Sequence, residues 1–323
     1  MERLKINYKL KIMKLLKTLF IVVFALPTML MAQEQKDTTA VVVDSVAPVV
    51  EVELERAAFE STSLIESQTN RVYSKGTIEM IMNHRFGLVT GTNDLIGIWA
   101  PANIRLAVNY SITDRITVGY GTTKDFRLQD FSLKGAILRQ TVNGKMPVSV
   151  TYYGNASLSA LPKENFYHTS DRWSFYNQII IAKRLSKMFS LQIGPSYSHY
   201  NVVEAGMYND LFALQFGGRA KVSSGISILL DVNQPISSQE DLPKSGFSIG
   251  TEFSTVGHTF QIFVSNYRGI INQTSNMFNQ NGYFQGEFLG IAATVKDSKR
   301  FANSPNNWAY FGFASYESAS AAA

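Results

Sequence analysis

The feature that most constrains this chain is a two-residue alternation of apolar and polar side chains between Asn103 and Thr122. From Ile104 to Ile112 every second residue is apolar, and polar or small residues, including Arg105, stand between them. Because successive side chains of a β-strand point to opposite faces, this run predicts a strand with one apolar face. A break at Thr113–Asp114 and a second alternating run predict an antiparallel hairpin.

The polar face of this hairpin favours a membrane location. Arg105 would be costly in the core of a soluble β-sandwich unless it were paired. If the apolar face contacts lipid and the polar face lines an interior, both faces are satisfied. This arrangement is typical of a transmembrane β-barrel, whose signal is weak in one segment and must repeat along the chain.

The alternation does repeat, and it predicts an all-β, up-and-down antiparallel barrel of about 12 strands. No run of about 18 apolar residues follows the leader, so any span must be built from strands. The predicted strands are Gly76–Phe86, Ile104–Ile112, Ile116–Tyr120, Phe131–Ile137, Val148–Tyr152, Trp173–Ile181, Phe189–Tyr197, Phe212–Lys221, Ile226–Val232, Phe247–Phe253, Phe260–Val264 and Asn307–Tyr316.

The lengths of the connections form a second pattern. Connections after even-numbered strands are predicted to be short, and those after odd-numbered strands longer, with Tyr267–Asn306 the longest. Outer-membrane barrels have short periplasmic turns and longer external loops. The pattern therefore predicts that both termini lie in the periplasm.

Residues 1–32 resemble a secretory signal peptide. The start is basic, an apolar run extends from Leu15 to Leu30, and the small residue Ala32 follows. An N-terminal membrane anchor is the alternative, although the run is shorter than the ~20 residues that a spanning helix needs. The excess of positive charge belongs to this leader, and the remainder of the chain has equal numbers of basic and acidic residues. We therefore expect no nucleic-acid partner, and export to the outer membrane of a Gram-negative bacterium.

Residues 33–68 are rich in Glu and Asp and contain only Lys36 and Arg56 as basic residues. This composition predicts an exposed, largely disordered periplasmic segment, with a short ordered piece from Glu55 to Glu66. A docking segment for a protein partner is the alternative. The barrel is predicted to span residues 69–317, and residues 318–323 form a featureless tail that resembles an added linker.

Four fragments of the chain are similar to a known family. The fragments AFESTSLIESQ, HRFG, NIRLAVNYSITDRITVGYG and KGAILRQ resemble an uncharacterised outer-membrane β-barrel family of Bacteroidota. The resemblance extends from about Ala58 to Tyr316. It implies the fold and the location, and it implies no catalytic residues.

Motifs for catalysis and for cofactors are not found in the sequence. The four histidines are widely spaced and the chain has no cysteine, which leaves a local metal site unsupported. Ser198 and His199 are adjacent on a predicted strand, so they point to opposite faces and cannot form the dyad of a barrel phospholipase. We expect no enzymatic activity and no cofactor.

The predicted lumen contains charges of both signs. Basic residues outnumber acidic ones, which leaves two interpretations open: a slightly basic conduit for a small solute, or a narrow lumen filled by paired charges. The function is expected to be that of a narrow channel, porin-like in fold; a non-conducting scaffold that docks a partner complex is the alternative. The residues predicted to face the lumen are Glu79, Arg85, Arg105, Lys134, Arg219, Lys221, Asp231 and Glu252.

Overall fold

A computed structural model describes residues 53–88, 95, 97–237, 243–282 and 288–297. The chain divides into two units, residues 1–51 and 52–323, and all described residues belong to the second. The predicted signal peptide, residues 33–52 and the tail lie outside the described residues. Among the residues described, no helix has both the length and the apolar character needed to span a bilayer.

Twelve antiparallel strands form a closed barrel in which each strand pairs with its neighbours in the chain and β1 pairs with β12. The prediction of a closed up-and-down barrel is confirmed. The strands are β1 Ile78–Leu88, β2 Asn103–Ser111, β3 Ile116–Thr123, β4 Leu128–Leu138, β5 Ser149–Ser159, β6 Trp173–Arg184, β7 Phe189–Tyr200, β8 Asp210–Lys221, β9 Ile226–Pro235, β10 Gly246–Ser254, β11 His258–Ser265 and β12 Phe288–Asp297.

The alternation of side chains in β2 separates the two faces of the wall as predicted. Leu106 and Val108 point outward and are 40% and 47% exposed, whereas Ala107 between them is 3% exposed. Val108 lies opposite Met80 of β1 and Tyr120 of β3, which are also on the outer face. The register therefore joins the apolar residues of successive strands into one outer belt.

The strand that closes the barrel is β12, Phe288–Asp297, which pairs with β1 from Ile78 to Leu88. The prediction that Asn307–Tyr316 closes the barrel is wrong, and that run lies outside the described residues. Two small residues, Gly290 and Ala292, stand at alternate positions of β12 and weaken its polar and apolar contrast. The true strand therefore fell within the predicted loop Tyr267–Asn306.

Two connections depart from the predicted pattern of lengths. The connection between β4 and β5, predicted to be short, is residues 139–148, which is longer than residues 201–209 between β7 and β8. The connection between β3 and β4 is residues 124–127, as short as those between β2 and β3 or between β6 and β7. It is short because β3 continues to Thr123 and β4 already begins at Leu128, beyond the apolar residues that marked both strands in the sequence.

Two parts of the chain lie inside the barrel. The first belongs to residues 53–77, here called the N-terminal plug, whose central residues 58–70 are largely buried while residues 53, 54, 56 and 74–76 near its ends are exposed. The second is residues 266–282, here called the loop plug, which contains the short helix α1, Asn272–Phe278. The expectation of an exposed segment is wrong for most of residues 53–68, because the stretch from Ala58 to Ser67 is almost entirely buried.

Candidate functional site: a lumen filled by two plugs

The tip of the N-terminal plug is a small hairpin between Ser61 and Asn70. Ser63 and Gln68 form an antiparallel bridge, and the Leu64 amide donates to the Ser67 carbonyl oxygen at 2.8 Å. The Thr69 hydroxyl donates to the Ser61 carbonyl oxygen at 2.6 Å. Ser and Thr side chains readily form such local bonds to the main chain, which stabilises a turn in a segment too polar to form a core of its own.

Asp231 of β9 holds this tip. Its carboxylate accepts hydrogen bonds from the amides of Glu66 and Ser67 at 2.8 and 2.7 Å and from the Ser67 hydroxyl at 2.8 Å. Gln215 also donates to it at 3.2 Å. Asp231 is 2% exposed, so the main-chain amides of the plug satisfy a buried charge of the wall.

A buried ion pair joins Glu66 of the N-terminal plug to Arg85 of β1. Ser265 donates to the same Glu66 oxygen at 3.0 Å, and the Arg85 guanidinium lies 4.4 Å from the centre of the Phe263 ring. Burial raises the pKa of Glu66 to about 7, and the positive charge of Arg85 opposes that shift.

Lys134 and Glu79 hold the neighbouring residue Thr62. The Lys134 ammonium donates to the Thr62 carbonyl oxygen at 2.7 Å, and the Thr62 hydroxyl donates to Glu79 at 2.7 Å. Asn109 of the wall donates to the other oxygen of Glu79 at 2.8 Å. Two of the predicted lumen charges therefore bind the plug through neutral groups.

Two further ion pairs lie within the wall itself. Arg105 binds both carboxylate oxygens of Asp130, at 3.0 and 2.6 Å, and Arg219 binds Glu252 at 3.0 Å. Asp130 was missed in the sequence because β4 was predicted to begin at Phe131 and to include only the residues after it. Its alternation with Ser132 and Lys134 is the signal that identifies it.

The predicted lumen residues are therefore brought to one side of the wall but do not form one cluster. Lys221, the one predicted lumen charge not yet described, is half-buried at the end of β8. Glu66 and Glu60 of the N-terminal plug were also missed; Glu60 lies 3.7 Å from Arg219. Both fall in the segment that composition assigned to solvent.

Apolar side chains add a small core between the N-terminal plug and the wall. Leu64 is 1% exposed and fits against Gly217 of β8, where an added Cβ would lie 2.3 Å from its Cδ1. The buried apolar cluster consists of Ala58, Phe59, Leu64, Ile65, Tyr153, Tyr176, Ile180, Ala182, Leu229, Phe263 and Ala292.

The loop plug contacts the N-terminal plug in the lumen. The Asn272 amide donates to the Glu66 carbonyl oxygen at 2.8 Å. Gln273 donates to Asn155 of β5 at 2.8 Å, and Asn276 donates to Ser198 of β7 at 3.4 Å. The loop plug is thus bound to the wall by amide side chains.

Little space remains between the plugs and the wall. A cavity of about 30 Å³, enough for about one water molecule, lies beside Ser63, Arg105 and Asn272. A much larger open cavity, of about 1290 Å³, is lined in part by Arg56, Arg71 and other residues of the N-terminal plug. The described lumen is closed where the two plugs meet.

The structure places Ser198 and His199 on opposite faces, as predicted. Ser198 is buried inside the barrel, while His199 Nδ1 lies 2.7 Å from Asp210 Oδ1. Within the described part of the chain, no three His, Cys, Asp or Glu side chains are grouped so that they could hold a metal ion.

An apolar outer belt and a polar, occupied interior define the class of protein: a transmembrane β-barrel with internal plugs. The chain belongs to the family described as membrane bound beta barrel domain (DUF5777), whose model matches residues 59–293. The protein is accordingly an integral β-barrel of the Gram-negative outer membrane, and its outer belt contacts membrane lipid.

Several solved structures are similar to the chain at low sequence identity. The NanC porin is 10% identical with a TM-score of 0.45, and the match covers 68% of this chain and 99% of that one. An outer membrane channel from Pseudomonas putida F1 is 11% identical with a TM-score of 0.41, covering 70% and 97%. Omp33 of Acinetobacter baumannii is 10% identical with a TM-score of 0.36, covering 69% and 99%. No curated protein matches the chain.

Proposed function

We propose that the protein is a channel for small solutes that its own N-terminal plug holds closed, and that it conducts when this plug leaves the lumen. In this proposal both termini are periplasmic, so the plug enters from that side. The observation that carries the proposal is that many side chains on the inner face of the wall are short and polar. These side chains do not fill the barrel by themselves.

Small barrels without a channel are filled by the side chains of their own strands. Here the inner face carries many Ser and Thr residues, and a separate part of the chain occupies the centre. Removal of that part would leave a polar lumen. The small inward residues include Ser111, Thr117, Ser149, Thr151, Ser157, Ser174, Ser190, Ser196, Ser227, Ser248, Thr259 and Thr294.

The contacts that hold the plug are of a kind that water can replace. Asp231, Lys134 and Arg85 would each be hydrated in an open lumen, so the loss of their plug contacts is compensated in part. Each hydrogen bond to a charged group of this kind contributes about 1.5–3 kcal/mol net. Release of the plug therefore requires much less free energy than opening the wall.

A non-conducting scaffold is the second candidate, and one observation favours it. The N-terminal plug and the loop plug meet at Asn272 and Glu66, so the lumen is closed by two parts of the chain. In that case the N-terminal segment or the loops would bind a periplasmic or outer-membrane protein partner.

A disulfide that can be formed and reduced would distinguish the channel from the scaffold. Leu54 of the N-terminal plug and Thr141 of the connection between β4 and β5 form an antiparallel bridge without direct hydrogen bonds between them. The Cα atoms of such pairs lie about 4.5 Å apart, within the range that a disulfide spans. Because the chain has no cysteine, Leu54→Cys with Thr141→Cys gives a single disulfide without competing thiols.

The measurement is conductance in planar bilayers. We expect openings of the double variant in reductant, none after oxidation, and the same openings after reductant is restored. Each single cysteine variant is the control and should be indifferent to oxidation. A variant that lacks residues 58–70 should conduct continuously. If that variant shows the heat-dependent electrophoretic mobility of a folded barrel and yet stays silent, the channel proposal fails and the scaffold is favoured.

A further inference from the structure

The N-terminal plug acts as a ligand of the wall, and its bound groups are mostly neutral. Three wall side chains donate hydrogen bonds to its main-chain carbonyl oxygens. Lys134 binds Thr62 at 2.7 Å, Gln192 binds Gln68 at 2.8 Å, and Gln261 binds Ser63 at 3.2 Å. The donors of the wall are therefore placed to bind uncharged oxygen acceptors.

The acceptor side chains of the wall also bind mainly uncharged groups of the plug. Asp231 accepts two amide hydrogens and the Ser67 hydroxyl, and Glu79 accepts the Thr62 hydroxyl. The ion pair between Glu66 and Arg85 is the exception among these contacts at the tip. A solute that replaced the plug would find partners for hydroxyl and amide groups more than for a single charge.

The charges of the wall nearly balance, with or without the plug. The pairs Arg105–Asp130 and Arg219–Glu252 lie wholly within the wall and remain when the plug leaves. Among the wall charges that bind the tip of the plug, two are basic and two are acidic, while Arg219 also loses its contact with Glu60. These four residues are Arg85, Lys134, Glu79 and Asp231.

This balance argues against the slightly basic conduit. Asp130, which is 0% exposed and faces Arg105, reduces the predicted surplus from five basic against three acidic residues to five against four. Selection of a solute by charge needs a lumen lined by one sign of charge. Between the charges, the inner face carries amide side chains that donate and accept at once. These are Asn83, Asn103, Asn155, Gln178, Gln192, Gln215, Asn233 and Gln261.

We infer that the open lumen takes small uncharged solutes rich in hydroxyl and amide groups, with saccharides as the chemical class, and that it discriminates weakly between cations and anions. This inference rests on the proposed channel function, and it names the class of substrate that the same lumen would pass.

The test uses liposomes that contain the variant lacking residues 58–70 and measures their swelling in solutes of similar size. Glucose is the neutral probe, glucosamine the cationic probe and gluconate the anionic probe. We expect glucose to enter several-fold faster than either charged probe. The reversal potential in a potassium chloride gradient should lie close to zero.

A single wall residue provides a second readout. Gln192→Leu, made in the same variant, removes a donor from the inner face of β7 and should slow glucose entry several-fold while leaving the chloride-to-potassium permeability ratio unchanged. Leu191→Ala, on the outer face of the same strand, is the matched control and should leave both unchanged. Equal slowing by the two substitutions would contradict the inference.

The results separate this inference from the channel proposal. If the folded variant passes none of the three solutes, the channel itself is disproved. If it passes gluconate or glucosamine faster than glucose, the channel stands and the neutral-solute inference is overturned. Should the deletion prevent folding, Gly217→Val in the full chain offers a second route, because it displaces Leu64 from the wall.

Discussion

The barrel wall and the N-terminal plug both bury polar residues, but they are held in place by different interactions. In the wall, main-chain pairing is continuous: β7 and β8, for example, are in register from Phe189 opposite Ala220 to His199 opposite Asp210. The plug forms main-chain pairs with the rest of the chain near its two ends, at Leu54 and at Gly76–Thr77, and between them it is held through side chains. Under the proposed function, the N-terminal plug moves while the wall stays closed.

The physical basis of this difference is the surrounding medium. An unpaired amide or carbonyl group of the wall in hydrocarbon costs several kcal/mol, so the wall cannot open. The N-terminal plug lies on the polar side of the wall, where water can replace its partners. Substitutions that alter only the wall or only the N-terminal plug test this difference.

The largest effect is expected from a charge on the outer face of the wall. Val108, near the middle of β2, is 47% exposed on the lipid side. Val108→Arg should lower the free energy of unfolding by about 2–4 kcal/mol, measured by denaturant titration in lipid vesicles. Val108→Leu is the control and should leave it nearly unchanged. An equally small change for both would mean that this face does not contact lipid.

The next effect concerns the anchor of the N-terminal plug. Asp231→Ala leaves the amides of Glu66 and Ser67 without their buried acceptor, at about 1–3 kcal/mol for each group. A thiol introduced as Ser61→Cys, at a site that is 2% exposed, reports release of the plug through its rate of maleimide labelling. The loss for one such group, about 1–3 kcal/mol, corresponds to labelling that is roughly 5–150-fold faster, and with two groups affected this range is the minimum expected.

The control for Asp231 is Ser227→Ala, on the same strand and the same face. It should leave the labelling rate of Ser61→Cys unchanged. If Asp231→Ala gives the same slow labelling as the control, then Asp231 does not hold the plug, and the distinction between a fixed wall and a releasable plug is weakened.

A smaller effect is expected from steric pressure on Leu64. Gly217→Val places side-chain atoms where the Leu64 methyl group lies, and overpacking of this kind costs about 1–3 kcal/mol. The substitution should raise the open probability in planar bilayers. Gly218→Val is the matched control, because an added Cβ there meets only Leu191 at 3.4 Å on the outer face. A rise in both variants would point to damage in the wall instead.

The smallest effect is a dependence on pH through Glu66. Because its pKa is raised from 4.5 to about 7 in the lumen, the docked plug binds a proton more tightly than the released plug. The contribution of Glu66 to docking is therefore weakest above pH 7 and grows as the pH falls towards 4.5. Glu66→Gln removes this contribution.

The labelling rates with Glu66 and with Glu66→Gln are compared at the same pH, so that the pH dependence of the thiol's own reactivity cancels. The labelling rate of Ser61→Cys in the background with Glu66, divided by its rate in the Glu66→Gln background, should fall between pH 8 and pH 5.5. A ratio that moves in the opposite direction, or that does not change with pH, disproves this role of Glu66.

Much of the wall follows from local sequence. The alternation through Ile104, Leu106 and Val108 predicts both the strand and the face that meets lipid, because side-chain direction in a strand depends only on parity. The same rule fails where the contrast is weak. In β12, Gly290 and Ala292 occupy alternate positions, so the alternating run around Trp308 was taken for the closing strand instead.

The candidate site was predicted less completely. The lumen charges from Glu79 to Glu252 were found by parity, but their partners were not. Ser67 and Asp231 are separated by 164 residues in the sequence, and no local pattern connects them. A segment of Glu, Ser and Thr is predicted to be exposed because its polar groups need partners, and composition does not reveal that a barrel supplies those partners.

The sequence by itself determined the first eleven strands, the apolar outer face and the location in a membrane, since each depends on the two-residue period of a strand. Only the tertiary structure decided that β12 closes the ring and that the N-terminal and loop plugs fill it. Those outcomes depend on which distant groups meet, as when Asp231 accepts the amides of Glu66 and Ser67. A buried charge can accept any suitably placed donor, and that placement exists only after the barrel has closed.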